Sequence, residues 1–406
     1  GTMSSARICS IMQKAVREIF PGCEAFSIPV ADGGEGSVDA FLEALGGAKK
    51  YVRVKNPFFE DMESFYGILN TADAGSEGKT AVIEMASCAG LPLASGRLNP
   101  ALATTYGAGQ LIEDALKNGC TSVIVGLGGS ATNDAGCGAA AALGVQFFDG
   151  KGKSFVPVGG TLKDICRIDV SGLNPLLKRA RITAMCDIDN PLYGENGAAY
   201  IFGPQKGADE KLVRELDEGL RRVEKIVKRD IGADSASVPG AGAAGGMGYG
   251  MLSFLGAGLK MGIETVLDTV AFERKLKGAD CVFTGEGKID SQSLRGKVVV
   301  GVARRAKKAG VPVIAVVGDA EADIDAVYDT GVAAVFSINR LAVPFSEAKK
   351  TAEAVLGFVS IIDSLTAFLD EGQNNTGGRS EDSGDENDAG SGADNSAGEK
   401  LSVFVE

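Results

Sequence analysis

The stretch Ser122-Val123-Ile124-Val125-Gly126-Leu127-Gly128-Gly129-Ser130-Ala131-Thr132-Asn133-Asp134 carries the pattern on which the fold turns. Residues 122–127 form a short, mostly apolar run suited to a buried strand. Residues 128–134 are small and polar, and Ala135 to Leu143 is a run of small residues suited to a closely packed helix. Strand, glycine turn, helix is the building step of a parallel sheet with helices on its faces. The step also occurs at Cys23 to Val30, followed by Asp32-Gly33-Gly34-Glu35-Gly36 and a helix carrying Val38, Phe41, Leu42 and Leu45. It returns at Asp280 to Thr284, followed by Gly285-Glu286-Gly287-Lys288-Ile289-Asp290 and a helix over Val298 to Ala309. Val311 to Val317 before Gly318-Asp319 is a further strand and turn. The fold class is therefore α/β.

Outward from these steps, Ser4 or Ser5 can cap a helix whose apolar residues Ile8, Ile11, Met12, Val16 and Ile19 recur at helical spacing until Pro21-Gly22. Between about Met62 and Lys277 the pattern is less regular, with hairpin-like stretches at Ser64 to Leu69 and Thr80 to Met85. The expected division is one domain built from residues 1–58 and 278–370, with a mixed α/β domain, residues 59–277, inserted into it. Residues 371–400 are Gly, Ser, Asn and Asp with almost no apolar side chains, so they cannot bury enough surface to offset ordering and read as a disordered linker. Residues 401–406 again read as a strand.

Composition narrows the chemistry. The 406 residues carry a formal charge of −12, but eight Asp or Glu against Arg379 between residues 371 and 399 account for much of it. The nearly neutral remainder lacks the clustered Lys and Arg of a nucleic-acid surface. No run is long and apolar enough for a membrane helix, and no signal-peptide pattern opens the chain, so a soluble cytoplasmic protein is expected. The 8 cysteines show no CxxC pair and read as reduced thiols. With 0 histidines, a Ser/His/Asp triad, histidine-bound zinc and imidazole acid/base catalysis are all excluded. Carboxylates, lysines, hydroxyls, backbone dipoles and a hard metal remain.

In parallel sheets ligands gather beyond the carboxyl ends of the strands, and four polar turns there are candidates. Gly128, Gly129, Ser130, Thr132, Asn133 and Asp134 offer backbone N–H groups and hydroxyls to a phosphate, or serve only close strand-to-helix packing. Asp32 and Glu35 flank Gly33 and Gly34, as a hydroxyl-activating base or a magnesium ligand, or with Asp32 capping the helix that follows and Glu35 complementing its dipole. Asp187 and Asp189 follow the apparent strand Arg181 to Met185 and suit Mg²⁺, or an Asx turn before Pro191. Glu286, Lys288, Asp290 and Lys297 put both signs of charge after the strand ending at Thr284, as phosphoryl transfer requires or as a solvated ion-pair cluster. Further glycine clusters lie at 194–207 and 240–248, the latter reading as a close-packed helix start or as a ligand floor. No GxxxxGK[ST] motif occurs.

Five strings in order resemble the bacterial glycerate kinase family: Pro29 to Gly36, Ala103-Thr104-Thr105-Tyr106-Gly107, Gly126 to Asp134, Cys186 to Pro191, and Thr284 to Asp290. The likeness runs from about Gly1 to Phe368. It implies ATP-dependent phosphorylation of a glycerate hydroxyl, commonly to 2-phosphoglycerate, in a cleft between a flavodoxin/Rossmann-like domain and an inserted domain. The roles it suggests are the 128–134 turn on the ATP phosphates, Asp187, Asp189 or Asp290 on Mg²⁺, and Asp32 or Asp290 as base. Glycerate and ATP are the expected partners, and a homodimer is compatible with the reading. The family's usual opening, a strand and a segment resembling Pro-Asp-Ser-Phe-Lys-Gly, falls before Gly1. Leu401 to Val405 is therefore expected to take that strand's place. A family member that binds nucleotide without turnover is the alternative.

Overall fold

The computed structural model describes residues 5–30, 33–70, 78–290, 296–321 and 324–337, together with the backbone of residues 400–405. The described chain falls into two units, Gly1–Pro29 with Phe272–Glu406, and Val30–Ala271. Asp32 and the acidic segment 371–399 lie outside the described residues.

The first unit is built on one parallel sheet. Its strands are β1 (Glu24–Pro29), with β2 to β10 belonging to the second unit, then β11 (Ala279–Ile289), β12 (Val313–Ala320), β13 (Val332–Ser337) and β14 (Lys400–Val405), in the order β1-β14-β11-β12-β13. The C-terminal strand is interior. It pairs in parallel with β1 from Glu24↔Lys400 to Pro29↔Val405, and with β11 from Ala279↔Lys400 to Phe283↔Val403. The helix Ser5–Ile19 closes one face because Cys9, Met12, Ala15 and Val16 recur on one side and pack against Ala25 and Phe283. The terminal strand thus lies between β1 and β11.

β11 is longer than the sequence pattern suggests. Its register with β12 continues through Lys288↔Asp319 and Ile289↔Ala320, so Glu286 and Lys288 are strand residues rather than parts of a turn after Thr284. Neighbouring-strand hydrogen bonds carry a Gly-rich, charged sequence that local preference alone assigns to a turn.

The second unit contains β2 (Gly47–Lys55), β3 (Asp61–Leu69), β4 (Lys79–Glu84), β5 (Cys120–Gly126), β6 (Gln146–Phe148), β7 (Ser154–Phe155), β8 (Arg167–Asp169), β9 (Arg181–Met185) and β10 (Gly258–Lys260). Six of these form a mixed sheet in the order β10-β9-β5-β4-β3-β2, parallel up to β4 and antiparallel beyond it. β7-β6-β8 is a small antiparallel sheet. The boundary at residue 59 expected from sequence moves to Val30, because β2 pairs along its whole length with β3. The boundary at residue 278 moves to Phe272.

Two cores hold this unit. Val54, Tyr66, Ile83, Val123, Val125 and Ala184 pack from the sheet against Leu111, Ile112 and Ala115 of the helix Tyr106–Lys117. The second core lies under the helix Glu210–Asp230, whose Val213, Leu216, Leu220, Val223 and Val227 form an apolar stripe against Leu162 and Phe147. Asp209 starts that helix, its side chain accepting from the Leu212 N–H at 2.8 Å. Among the described residues no helix is long and apolar enough to cross a membrane.

Deleting residues 400–406 would leave facing edges of β1 and β11 unpaired. At about 1 kcal/mol for each lost backbone hydrogen bond, a loss of several kcal/mol is expected, read as a lower urea midpoint. An unchanged midpoint would show that the sheet does not depend on this strand.

Candidate functional site

The carboxyl ends of β4, β5 and β9 bring three of the sequence candidates together. Gly128 N–H donates to Gly33 O at 3.1 Å, and Leu127 N–H donates to Met185 O at 3.2 Å. The contact is backbone on backbone. A Cβ on Gly126 would stand 2.3 Å from Gly33 O, and one on Gly128 would stand 2.7 Å from Gly34 Cα. Two glycine turns, far apart in sequence, can touch only because neither carries side chains there. Asp187 and Asp189 follow Met185, the last residue of β9, so they leave the sheet beside these turns.

Glu84 fixes the first turn from the end of β4. Its buried carboxylate accepts the N–H of Val38 at 2.5 Å and that of Gly36, so a neighbouring strand supplies the N-cap of the helix Ser37–Leu45. Burial pushes this carboxyl up, while the two backbone donors pull the other way. Glu35 is exposed, and Glu84 is a capping group that local sequence around the helix does not reveal.

Asp134 organises the second turn. It is fully buried, and its carboxylate accepts from Thr105 N–H (2.8 Å), Thr105 Oγ1–H (2.9 Å), Gly136 N–H (3.1 Å) and Gly138 N–H (3.2 Å). Thr105 Oγ1 in turn accepts from Ala139 N–H at 2.9 Å. Two N–H groups at the start of the short helix Cys137–Ala142 are therefore engaged by the protein's own carboxylate. Burial raises the Asp134 carboxyl against these donors.

Lys206 is the residue that sequence reasoning missed. It ends the short 3-10 turn Pro204–Lys206 and is 2% exposed, and its ammonium donates to Ser130 Oγ at 2.8 Å and Thr132 O at 2.7 Å. Burial brings its pKa down to about 7, opposed by the charge of Asp134. The available signal was a lysine inside the glycine-rich stretch 194–207, where a flexible exposed cation is out of character. Thr105 was visible in the string Ala103 to Gly107 but carried no assigned role.

The cluster 240–248 is a close-packed helix start. Ala244, Gly245 and Gly246 all have left-handed φ, and a Cβ on Gly245 would lie 2.0 Å from Thr132 O. Ala135 N–H donates to Gly245 O, and Thr132 Oγ1–H to Ala244 O at 3.3 Å. In the midst of this packing both polar atoms of the Asn133 carboxamide are buried without a protein partner.

Asp187 and Asp189 are exposed, and Asp187 Oδ1 accepts from Gly262 N–H at 2.7 Å. Two exposed carboxylates with one held in place fit Mg²⁺, which keeps several waters and shares its sphere with substrate phosphates. Among the described residues no group of three or more Asp, Glu or Cys forms a metal cage of its own.

In the first unit, Glu286 is buried on β11, while Lys288 is half exposed and pairs with Glu321 at 2.8 Å, which raises its pKa. Asp290 directly follows the strand, and Lys297 is exposed at the start of the helix Val298–Lys308, where its carbonyl accepts from Gly301 N–H.

The architecture defines an α/β enzyme class in which glycine turns and carboxylates gather at the carboxyl ends of parallel strands. Within that class, the model of the glycerate kinase family matches residues 1–361, and the chain belongs to that family. It is 44% identical over 353 residues to the glycerate kinase of Bacillus cereus, covering 87% of this chain and 91% of that protein. It is 45% identical over 338 residues to the glycerate 2-kinase of Escherichia coli K12, covering 83% and 87%. A chain solved by crystallography and described as a glycerate kinase 2 of Salmonella typhimurium LT2 superposes with a TM-score of 0.79 at 38% identity, covering 92% of this chain and 96% of that one.

Replacing Asp134 by Ala leaves its donors unpaired and the Lys206 ammonium buried without its opposite charge. A loss of about 3–5 kcal/mol is expected from urea unfolding; less than about 1 kcal/mol would show that the carboxylate is no clamp. Lys206 also gives stability a pH dependence of known sign. Its folded value lies near 7 and its ordinary value is 10.5, so between them the unfolded chain binds more protons and stability rises with pH. In Lys206→Met that rise should disappear from denaturant midpoints measured between pH 7 and 10.

Proposed function

We propose that this chain transfers the γ-phosphoryl group of ATP to the 2-hydroxyl of glycerate, giving 2-phosphoglycerate and ADP, in the presence of Mg²⁺. The observation that carries this is the extended likeness to glycerate kinases, E. coli glycerate 2-kinase among them, with the family's motifs at strand ends.

The substrate hydroxyl oxygen forms the new P–O bond as the bond between the γ-phosphorus and the β,γ-bridging oxygen breaks. The hydroxyl proton passes to a carboxylate, Asp290 or Asp32. Little covalent chemistry falls to the protein in such a step, so positioning and charge stabilisation dominate. The turn Gly128 to Asp134 is assigned the nucleotide phosphates, with Ser130 and Thr132 as contacts and Asp134 as the group that shapes it. Gly33, Gly34 and Glu35 flank it, and Gly33 and Gly34 allow backbone to approach the ligand closely. Asp187 and Asp189 would hold Mg²⁺, which supplies neutralisation of phosphate charge when bound. Lys288 and Lys297 are assigned phosphate charge, and the buried Glu286 on the same strand is assigned to the substrate or nucleotide.

A coupled assay with ATP, Mg²⁺ and D-glycerate tests the reading, with ³¹P NMR of the product placing the phosphate. Glycerate-dependent ADP release with a 2-phosphate resonance is expected; a 3-phosphate product would overturn the position. Asp290→Asn should lower kcat by about 10²-fold or more while KM for ATP stays within about threefold, as for a group acting in the transition state. Near-normal turnover would remove Asp290 from the base role and leave Asp32.

A further inference from the structure

The Lys206 ammonium has only donors, so at Ser130 it must give a proton and the hydroxyl oxygen must accept. The one proton of Ser130 is thereby directed elsewhere. A serine hydroxyl ordinarily rotates between donor and acceptor roles, and a buried charge beside it removes that freedom. The position of Ser130 is fixed independently. Its residue forms an isolated bridge with Gly90, Ala131 N–H donates to Ala89 O at 2.9 Å, and Leu91 N–H donates to Gly129 O at 2.8 Å. The second lysine proton goes to Thr132 O, the carbonyl against which Gly245 packs. Three residues beyond Ser130, the Asn133 carboxamide is fully buried with neither polar atom paired within the protein. A buried amide left so costs about 1–3 kcal/mol, the mark of a group kept for a ligand or for water.

We propose that Lys206 is a positioning residue whose hydrogen bond commits the Ser130 hydroxyl as a donor to an anionic oxygen, phosphate or carboxylate, of a bound substrate. The assignment rests on the kinase reading above and adds to it a residue and a direction of hydrogen bonding. It also explains why a cation is buried where no solvent reaches it. The charge of Asp134 opposes the effect of burial on the lysine, and the lysine's contact with the turn is through one hydroxyl and one carbonyl. Were Lys206 neutral, its lone pair could accept from Ser130 and the hydroxyl would turn inward. The positioning effect is therefore present when the lysine is protonated and fades as pH rises past about 7.

The test uses the full chain as wild type, Ser130→Ala, Lys206→Met and the double variant. Steady-state kinetics for ATP and for glycerate are followed from pH 6 to 9, with thermal unfolding of each protein. Ser130→Ala is expected to lower kcat/KM for one substrate at least about tenfold with its melting temperature nearly unchanged. Lys206→Met should lose a similar factor, the double variant should be no worse than the larger single loss, and the fall in wild-type kcat/KM above pH 7 should be absent from Lys206→Met. Wild-type kinetics in Ser130→Ala, losses that multiply, or a pH limb retained in Lys206→Met would each overturn the proposal. If Lys206→Met does not fold, Ser130→Ala still decides. Calorimetric titration of the same proteins with ATP and with glycerate separates the two readings. A wild type that binds but shows no glycerate-dependent turnover rejects the kinase, while tenfold weaker binding by Ser130→Ala still upholds the donor role, and equal binding sinks it.

Discussion

One carboxylate, sealed from water, holds the second unit's turn in shape. Asp134 accepts from the start of the helix Cys137–Ala142 and from both donors of Thr105, tying the end of β5 to the segment that begins the helix Tyr106–Lys117. A carboxyl group in that position is tolerable because its oxygens are met by four donors. Lys206 is buried against the same turn, its ammonium held by Ser130 Oγ and Thr132 O. The turn, the lysine and the threonine thus form a single hydrogen-bonded arrangement.

The glycines are the second condition. Backbone meets backbone at Gly126 and Gly128 against Gly33 and Gly34, and again at Gly245 against Thr132. Any side chain there would separate elements whose contact places the polar groups. The abundance of glycine in this chain is thus largely a consequence of layers drawn close at strand ends, with the left-handed run Ala244, Gly245 and Gly246 as its most demanding point. Ala244 adopts that conformation with a side chain, at a cost of the order of 1–2 kcal/mol that the surrounding packing must offset.

Much of the architecture was legible because it repeats in local signals. The amphipathic pattern of the first helix, the apolar runs of β1, β5, β9 and β12, and the terminal strand β14 all follow from periodicity and turn residues. Errors arose where a neighbour overrides local preference. Glu286 and Lys288 read as a turn because Gly285 and Gly287 surround them, yet hydrogen bonds to β12 hold them extended. The domain boundary was set too late because pairing of β2 with β3, not composition, decides which unit residues 30–58 join. At the site, residue types in the 128–134 turn suggest N–H groups open to a ligand, but the Asp134 carboxylate takes two donors of the following helix start, Gly136 and Gly138.

By itself the sequence determined the α/β class, the exclusion of histidine chemistry, the glycine turns and the family to which the chain belongs, since these depend on residue type and short-range spacing. The tertiary structure alone decided which two strands flank the C-terminal strand, that Glu84 caps a helix 46 positions away, and that Lys206 lies buried on a turn 76 positions earlier. Those facts depend on which segments pack together, and a side chain's partner, and with it its charge, is set by packing across distances that no local pattern records.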